Sequence, residues 1–134
     1  MPVSAIGIDL AEKAGTAMYE DDDDRMDAAD QLAELSPRAA AEALSAIACD
    51  REVDDELRLS AAERLAAVAP GAAAPACLAI ACDGTVGDEV RLSAAEQLAA
   101  VAPGAAAPAC LAIARDGTVG DEVRRSAAEQ LAAL

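Results

Sequence analysis

The sequence has no histidine, tryptophan or phenylalanine and only one tyrosine among its 134 residues. Enzymes commonly need a nucleophile activated by a base, or a pair of groups that act as acid and base. The serines at positions 60, 93 and 126 recur on one helix line, and no histidine is available to activate them. We therefore expect a protein that is not an enzyme and binds no cofactor.

Basic residues are also few, with 10 lysines and arginines against 25 acidic residues and a formal net charge of −15. A negative surface of this kind repels nucleic acid and anionic lipid. We expect a basic protein partner, no direct binding to nucleic acid and no binding to a membrane. No apolar run approaches the roughly 20 residues that span a bilayer, and the N-terminus lacks the layout of a signal peptide. These features predict a cytoplasmic protein.

Strand-forming patterns are missing as well, because β-branched and aromatic residues are sparse and no segment alternates with period two. Apolar residues make up 54% of the chain, and most of them are alanine. Alanine is the best helix former, and its small side chain lets neighbouring helices approach closely. The composition therefore predicts an all-α protein.

The chain repeats itself with a period of 33 residues. Segments 59–91 and 92–124 differ at only two positions, Arg64/Gln97 and Cys82/Arg115. An older copy of the same pattern precedes them, and a degenerate copy begins the chain. A fixed period of this length is typical of a solenoid. We interpret the chain as one domain, 1–134, divided into a degenerate N-terminal capping unit (1–26), three repeat units (27–59, 60–92 and 93–125) and the remainder of a C-terminal capping helix (126–134).

Each unit contains two predicted helices. The segment GDEVRLSAAEQLAAV places acidic residues in a first helical turn and apolar residues on one face, and APG ends it. The segment AAAPACLAIA forms the other helix and is apolar nearly all round. We call the AAAPACLAIA helix the first helix of each unit and the GDEVRLSAAEQLAAV helix the second. In the oldest copy Ser36 is placed as the N-cap and Pro37 as the first helical residue. Pro75 and Pro108 predict that the later copies of this helix either start later or bend.

The segment PACLAIARDGTVGDEVRRSAAEQLAAL resembles a HEAT-like repeat, and the resemblance extends over residues 27–134. It implies a right-handed α-solenoid of stacked antiparallel helix pairs, about eight helices in all, that serves as a binding scaffold. It also implies a structural ladder of hydrogen bonds along the stack, between the aspartates Asp50, Asp83 and Asp116 and the arginines Arg58, Arg91 and Arg124.

The four cysteines occupy two repeat positions, each used twice: Cys49 with Cys82, and Cys77 with Cys110. Equivalent residues in stacked helices lie about 8 to 10 Å apart, which is too far for a disulfide. We expect buried, unbridged cysteines and no metal site. The acidic run from Glu20 to Arg25 also lacks the spacing of a calcium loop, so it is interpreted as a solvated approach to a helix.

Two rows of carboxylates follow the second helix of each unit. Glu56, Glu89 and Glu122 form one row with Asp23 leading, and Glu63, Glu96 and Glu129 form the other with Asp30 leading. The resemblance to HEAT-like repeats implies that this helix lines the concave side. The rows then make either an acidic groove for a basic partner or an ordinary solvated surface.

Three functions are compatible with this pattern. The first is a non-enzymatic protein-binding scaffold that uses the acidic concave surface. The second is a small acidic inhibitor, an immunity-type protein or a nucleic-acid mimic, which neutralises a basic toxin or a DNA-binding protein. The third is an accessory protein that holds a cofactor or substrate for an enzyme, as some HEAT-like proteins do.

The last unit differs from the internal ones in a way that predicts a C-terminal cap. Arg115 and Arg125 stand where the preceding unit has Cys82 and Leu92, and terminal repeats need a polar outer face. Leu131 and Leu134 stay apolar at the end. We therefore expect a monomer or an end-to-end homodimer.

Overall fold

The computed structural model describes residues 22–134, and this part of the chain is all-α, as the sequence predicts. It has seven helices and no strand between Asp22 and Leu134. Any helix before Asp22, which the expected total of about eight would need, lies outside the described residues, as does most of the N-terminal unit 1–26. The helices are α1 (Asp22–Leu35), α2 (Pro37–Cys49), α3 (Asp55–Val68), α4 (Pro70–Ala81), α5 (Asp88–Val101), α6 (Pro103–Arg115) and α7 (Asp121–Ala133).

The helices pack strictly by neighbourhood in the chain. Each helix contacts the next one, and each also contacts the helix two places further on, which is its equivalent in the following unit. Among residues 22–134 no helices further apart than this touch. Apolar surface is therefore buried only within a unit and against the adjacent units, which is how stacked repeats stabilise themselves.

The core repeats with the sequence. Equivalent isoleucines on α2, α4 and α6 and equivalent leucines on α1, α3 and α5 are buried, and between them lie alanines that let the helices approach closely. The loop of each unit also inserts one valine into the core. These buried residues include Ile47, Ile80, Ile113, Leu32, Leu65, Leu98, Val53, Val86 and Val119.

The start of the first helix in each unit depends on proline. Ser36 is the N-cap of α2, and its hydroxyl oxygen accepts a hydrogen bond of 3.2 Å from the Ala39 backbone nitrogen, which confirms the predicted cap. Helix α4 begins at Pro70, so only Ala69 separates it from α3. The alternative that this helix starts later because of Pro75 is wrong. Proline is favoured at the first helical position, where no N–H is needed, and the helix continues through Pro75.

The cysteines divide into two classes. Cys77 and Cys110 are fully buried, and Leu44 at the equivalent position is buried too. Burial raises the pKa of both thiols, with a smaller contribution from Glu63 at Cys77; for Cys110 the smaller contribution comes from Glu96. All four thiols are free, but Cys49 and Cys82 are exposed. The prediction that all four are buried is wrong for this pair, because both lie where a helix ends at the surface.

Candidate functional site

The arginine and aspartate positions of the predicted ladder join neighbouring units. Arg58 Nη1 donates to Asp83 Oδ2 at 3.1 Å, and Arg91 Nη1 donates to Asp116 Oδ2 at 2.9 Å. Arg25 makes the equivalent bond to Asp50 at 3.0 Å. In each pair the arginine belongs to one unit and the aspartate to the loop of the next.

Each ladder arginine also holds a helix end within its own unit. The Nε atoms of Arg58, Arg91 and Arg124 donate to the carbonyl oxygens of Ala48, Ala81 and Ala114 at 2.9, 2.9 and 3.0 Å. Arg58 and Arg91 are buried, and each donates to an aspartate of the next unit. Arg124 lies in the last unit and instead has Asp121 of its own helix 3.9 Å away. A guanidinium between a carbonyl and a carboxylate thus fixes the end of one helix and the next loop.

The aspartates of the ladder also organise their own loops. Asp83 Oδ1 accepts from the Thr85 backbone nitrogen at 2.9 Å and from the Thr85 hydroxyl at 2.6 Å, and Asp116 does the same with Thr118. Hydrogen bonds from the threonine, and then from the arginines, hold the pKa of Asp83 and of Asp116 well below the usual range. The bond from the Glu52 backbone nitrogen is the largest cause of the lowered pKa of Asp50.

Arg51 is a ladder residue that the sequence interpretation missed. Its Nε donates to Asp83 Oδ2 at 3.2 Å and its Nη2 donates to Asp83 Oδ1 at 3.1 Å. The equivalent residues in the following loops are Gly84 and Gly117, which cannot make this contact. The sequence signal that could have indicated this contact is the arginine in the oldest copy at a position where the later copies have glycine. Because of it, Asp83 has two arginine partners, Arg51 and Arg58.

A second contact between units was also missed. The Asp55 carboxylate accepts from the Gly87 backbone nitrogen at 2.8 Å, and Asp88 accepts from Gly120 at the same distance. Gly87 and Gly120 are the N-caps of α5 and α7, so each helix start is tied to the first residue of the preceding equivalent helix. The sequence interpretation noted only that acidic residues lie in the first turn of this helix. The aspartates and arginines of the ladder, together with Asp55 and Asp88, therefore hold neighbouring units together.

The two acidic rows lie on one exposed helix face. Glu56 and Glu63 are seven residues apart, which is about two helical turns, and both are exposed. Asp27 and Glu34 of α1 share this face at the positions of Ser60 and Ala67, and the sequence interpretation missed them because the later copies are uncharged there. We name this surface the acidic face; its exposed carboxylates are Asp23, Asp27, Asp30, Glu34, Glu56, Glu63, Glu89, Glu96, Glu122 and Glu129.

Neighbouring units meet along the acidic face. Arg64 of α3 pairs with Asp30 of α1, and Gln130 Nε2 donates to Glu96 Oε1 at 3.0 Å. A shallow groove of about 340 Å³ separates α3 from α5, and its walls include Glu56, Leu59, Ser60, Glu89, Val90 and Ser93. Carboxylates from adjacent units therefore flank one groove that also contains the apolar side chains of Leu59 and Val90. The ion pair with Arg64 neutralises Asp30.

The first helix of each unit carries little charge in comparison. Helix α4 has no charged residue, and the only one in α6 is Arg115. The exposed residues of α4 include Pro75, Ala79 and the neighbouring Cys82. Negative charge is therefore concentrated on α1, α3, α5 and α7 and leaves the other helices nearly neutral.

The described residues provide no group of three or more histidine, cysteine, aspartate or glutamate side chains that could hold a metal ion. No helix between Asp22 and Leu134 combines the length and hydropathy needed to cross a membrane. Asp22, Asp23 and Asp24, the described part of the acidic run, lie in the first turn of α1. Glu20 and Asp21 lie outside the described residues.

Comparisons of the chain with models of protein families, with curated proteins and with solved structures found no match.

Proposed function

We propose that this protein is a non-enzymatic scaffold that binds a basic protein partner on the acidic face. The HEAT-like resemblance suggests a right-handed α-solenoid with this face on its concave side. The partly polar C-terminal unit favours a monomer or an end-to-end homodimer, and the sequence pattern favours a location in the cytoplasm. The observation that carries the proposal is the separation of charge, because most of the exposed carboxylates between Asp22 and Leu134 lie on one helix of each unit while α4 carries no charge.

The hydrogen bonds support two separate roles for the acidic residues: the aspartates of the ladder hold units together, and the glutamates of the acidic face are available to a partner. Asp83 and Asp116 each accept several hydrogen bonds and hold adjacent units together. Glu56, Glu63 and Glu122 are exposed and stand at repeat positions that the ladder does not use. A carboxylate row with regular spacing attracts positive charge and sets the register of a partner along it.

The groove between α3 and α5 adds an apolar component. Leu59 and Val90 lie beside Glu56 and Glu89 in the groove between α3 and α5. Lysine and arginine have long aliphatic stems that pack on apolar surface while their charged heads remain in water. The groove can therefore contact both the aliphatic stem and the charged head of a partner's lysine or arginine, whereas carboxylates alone would contact only the charged head.

A capture experiment with three proteins tests the proposal. The first is the parent chain, the second carries Glu63→Gln, Glu96→Gln and Glu129→Gln, and the third carries Glu42→Gln, Glu52→Gln and Asp54→Asn. Both variants change the net charge from −15 to −12, since each removes three negative charges. The control residues are exposed and lie outside the acidic face, and Asp54 makes no side-chain capping bond.

We expect a basic protein from native lysate to be retained by the parent and by the control variant, and lost from the acidic-face variant. Equal loss from both variants would mean that total charge alone drives binding. Equal retention by all three would place recognition elsewhere and contradict the proposal. A nuclease or other DNA-binding protein as the captured partner would favour the inhibitor function.

A further inference from the structure

Two exposed thiols lie in one surface pocket. Cys49 is the last residue of α2 and Cys82 follows the last residue of α4. Both line a pocket of about 290 Å³, which we name the thiol pocket; its lining residues are Cys49, Arg51, Arg58, Ala79, Cys82 and Asp83. We propose that the thiol pocket is a modification site for anionic low-molecular-weight disulfides, for which glutathione disulfide serves as the probe.

The lining of the thiol pocket is positive although the protein is strongly negative. Two guanidinium groups, from Arg51 and Arg58, face one carboxylate, from Asp83. Arg58 is buried and bound within the ladder, but the Arg51 side chain is 67% exposed. Arg51 donates two hydrogen bonds to Asp83, and a guanidinium has five N–H donors. The remaining donors of Arg51 can bind a carboxylate of an incoming disulfide.

This combination of groups occurs at one level of the repeat. Gly84 and Gly117 replace Arg51 in the following loops, and Arg115 replaces Cys82 in the last unit. Cys82/Arg115 is one of only two differences between the near-identical copies. The exposed arginine and the two exposed thiols therefore meet between α2 and α4, and the equivalent level between α4 and α6 lacks one of the thiols and the arginine.

The reaction is a thiol–disulfide exchange. A cysteine of the pocket loses its proton, and the thiolate attacks one sulfur of the disulfide. A bond forms between the protein sulfur and that sulfur, the original S–S bond breaks, and the leaving thiolate takes up a proton. The protein thiol is oxidised to a mixed disulfide, and the other half of the reagent is reduced to a free thiol.

The mixed disulfide is the end product of this exchange. Closure of a Cys49–Cys82 bond would release the second half of the reagent, but equivalent positions on stacked helices lie about 8 to 10 Å apart. A disulfide needs Cα atoms within about 7 Å. The two thiols therefore react separately, each beside the same arginine.

The test compares an anionic disulfide, glutathione disulfide, with a cationic one, cystamine. The folded full chain and its Arg51→Gly variant are incubated with each reagent, and peptide mapping by mass spectrometry measures the modification rate of every cysteine. Glycine is the residue of the two other loops, so this variant keeps a loop that the fold already contains. Circular dichroism of both proteins verifies that the variant is folded.

We expect both reagents to modify Cys49 and Cys82 and to leave buried Cys77 and Cys110 unmodified until the protein is denatured. Arg51→Gly should slow glutathione disulfide by about threefold, the size of effect an exposed charge supplies, and should not slow cystamine. An unchanged ratio between the two reagents would overturn the proposal, since Arg51 would then not recognise the anion. Modification of Cys77 in the folded protein at the rate of Cys82 would overturn it as well.

Discussion

The Arg58 guanidinium lies 3.1 Å from the Asp83 carboxylate, and the two side chains come from neighbouring repeat units. Arg58 is 2% exposed and Asp83 5%, so the ion pair is shielded from water on both sides. Asp83 also accepts hydrogen bonds from Thr85 and Arg51. Arg51, Arg58 and Thr85 therefore form one hydrogen-bond network in which all three donate to the Asp83 carboxylate.

Substitution of Asp83 by asparagine tests how much this network contributes. Asp83→Asn removes the negative charge of the carboxylate to which the buried Arg58 donates, and removal of one partner from a buried ion pair costs about 3 kcal/mol. The free energy of unfolding, measured by denaturant titration, should fall by about that amount. Glu42→Gln, an exposed change outside the ladder, should leave stability nearly unchanged. Equal effects of the two substitutions would show that the ladder contributes nothing.

The lowered pKa of Asp83 predicts how this contribution depends on pH. A carboxyl group whose pKa is lower in the folded than in the unfolded chain stabilises the fold above its unfolded pKa, which is about 3.9 for aspartate. The stability difference between the parent and Asp83→Asn should be constant near neutral pH and should shrink as the pH falls below about 4. Denaturant titrations at a series of pH values measure it. A difference that stays constant into strong acid would contradict the assignment.

Salt should stabilise the folded protein. The acidic face places like charges on adjacent helices, and their repulsion is screened beyond a Debye length of about 8 Å at physiological ionic strength. The melting temperature should rise when sodium chloride is added. It should rise less for the variant with glutamine at 63, 96 and 129 than for the charge-matched control variant. A melting temperature that falls with salt in the parent would mean that attractive ion pairs outweigh the repulsion.

Pro75 provides a test of the helix assignment. Proline inside a helix lacks the N–H that would bond four residues back and costs about 3 kcal/mol relative to alanine. Pro75 is exposed, and Glu42 occupies the same position in α2. Pro75→Glu should therefore raise the free energy of unfolding by about 2 kcal/mol. A loss of stability in thermal or denaturant unfolding would show that the proline is matched to a local geometry that glutamate cannot adopt.

The sequence predicts the periodic part of this structure well. The 33-residue period, the all-α class and the Ser36 cap follow from residue spacing and intrinsic preferences, which act locally. The resemblance to HEAT-like repeats named ladder residues that do make bonds between units, such as Arg58 and Asp83. Local rules suffice here because each unit contacts only its neighbours.

Departures from the consensus could not be placed in the same way. Arg51 reaches Asp83 across a unit boundary, and no local preference indicates that contact. The exposure of Cys49 and Cys82 depends on where α2 and α4 end, and helix ends are the least certain part of a sequence-based assignment. Pro70 lies just after the end of α3 and is also the first residue of α4. One proline therefore marks the end of one helix and the start of the next, and the position of each boundary depends on how the two helices pack.

The dissociation constant of the captured basic partner, measured by calorimetry at fixed ionic strength, tests the central claim most directly. For the variant with Glu63→Gln, Glu96→Gln and Glu129→Gln, we expect binding to weaken about tenfold or more, because each charge of a matched interface contributes a fraction of a kcal/mol or more. The charge-matched control with Glu42→Gln, Glu52→Gln and Asp54→Asn should bind nearly as the parent does. Equal dissociation constants for the two folded variants would contradict the acidic face as the binding surface.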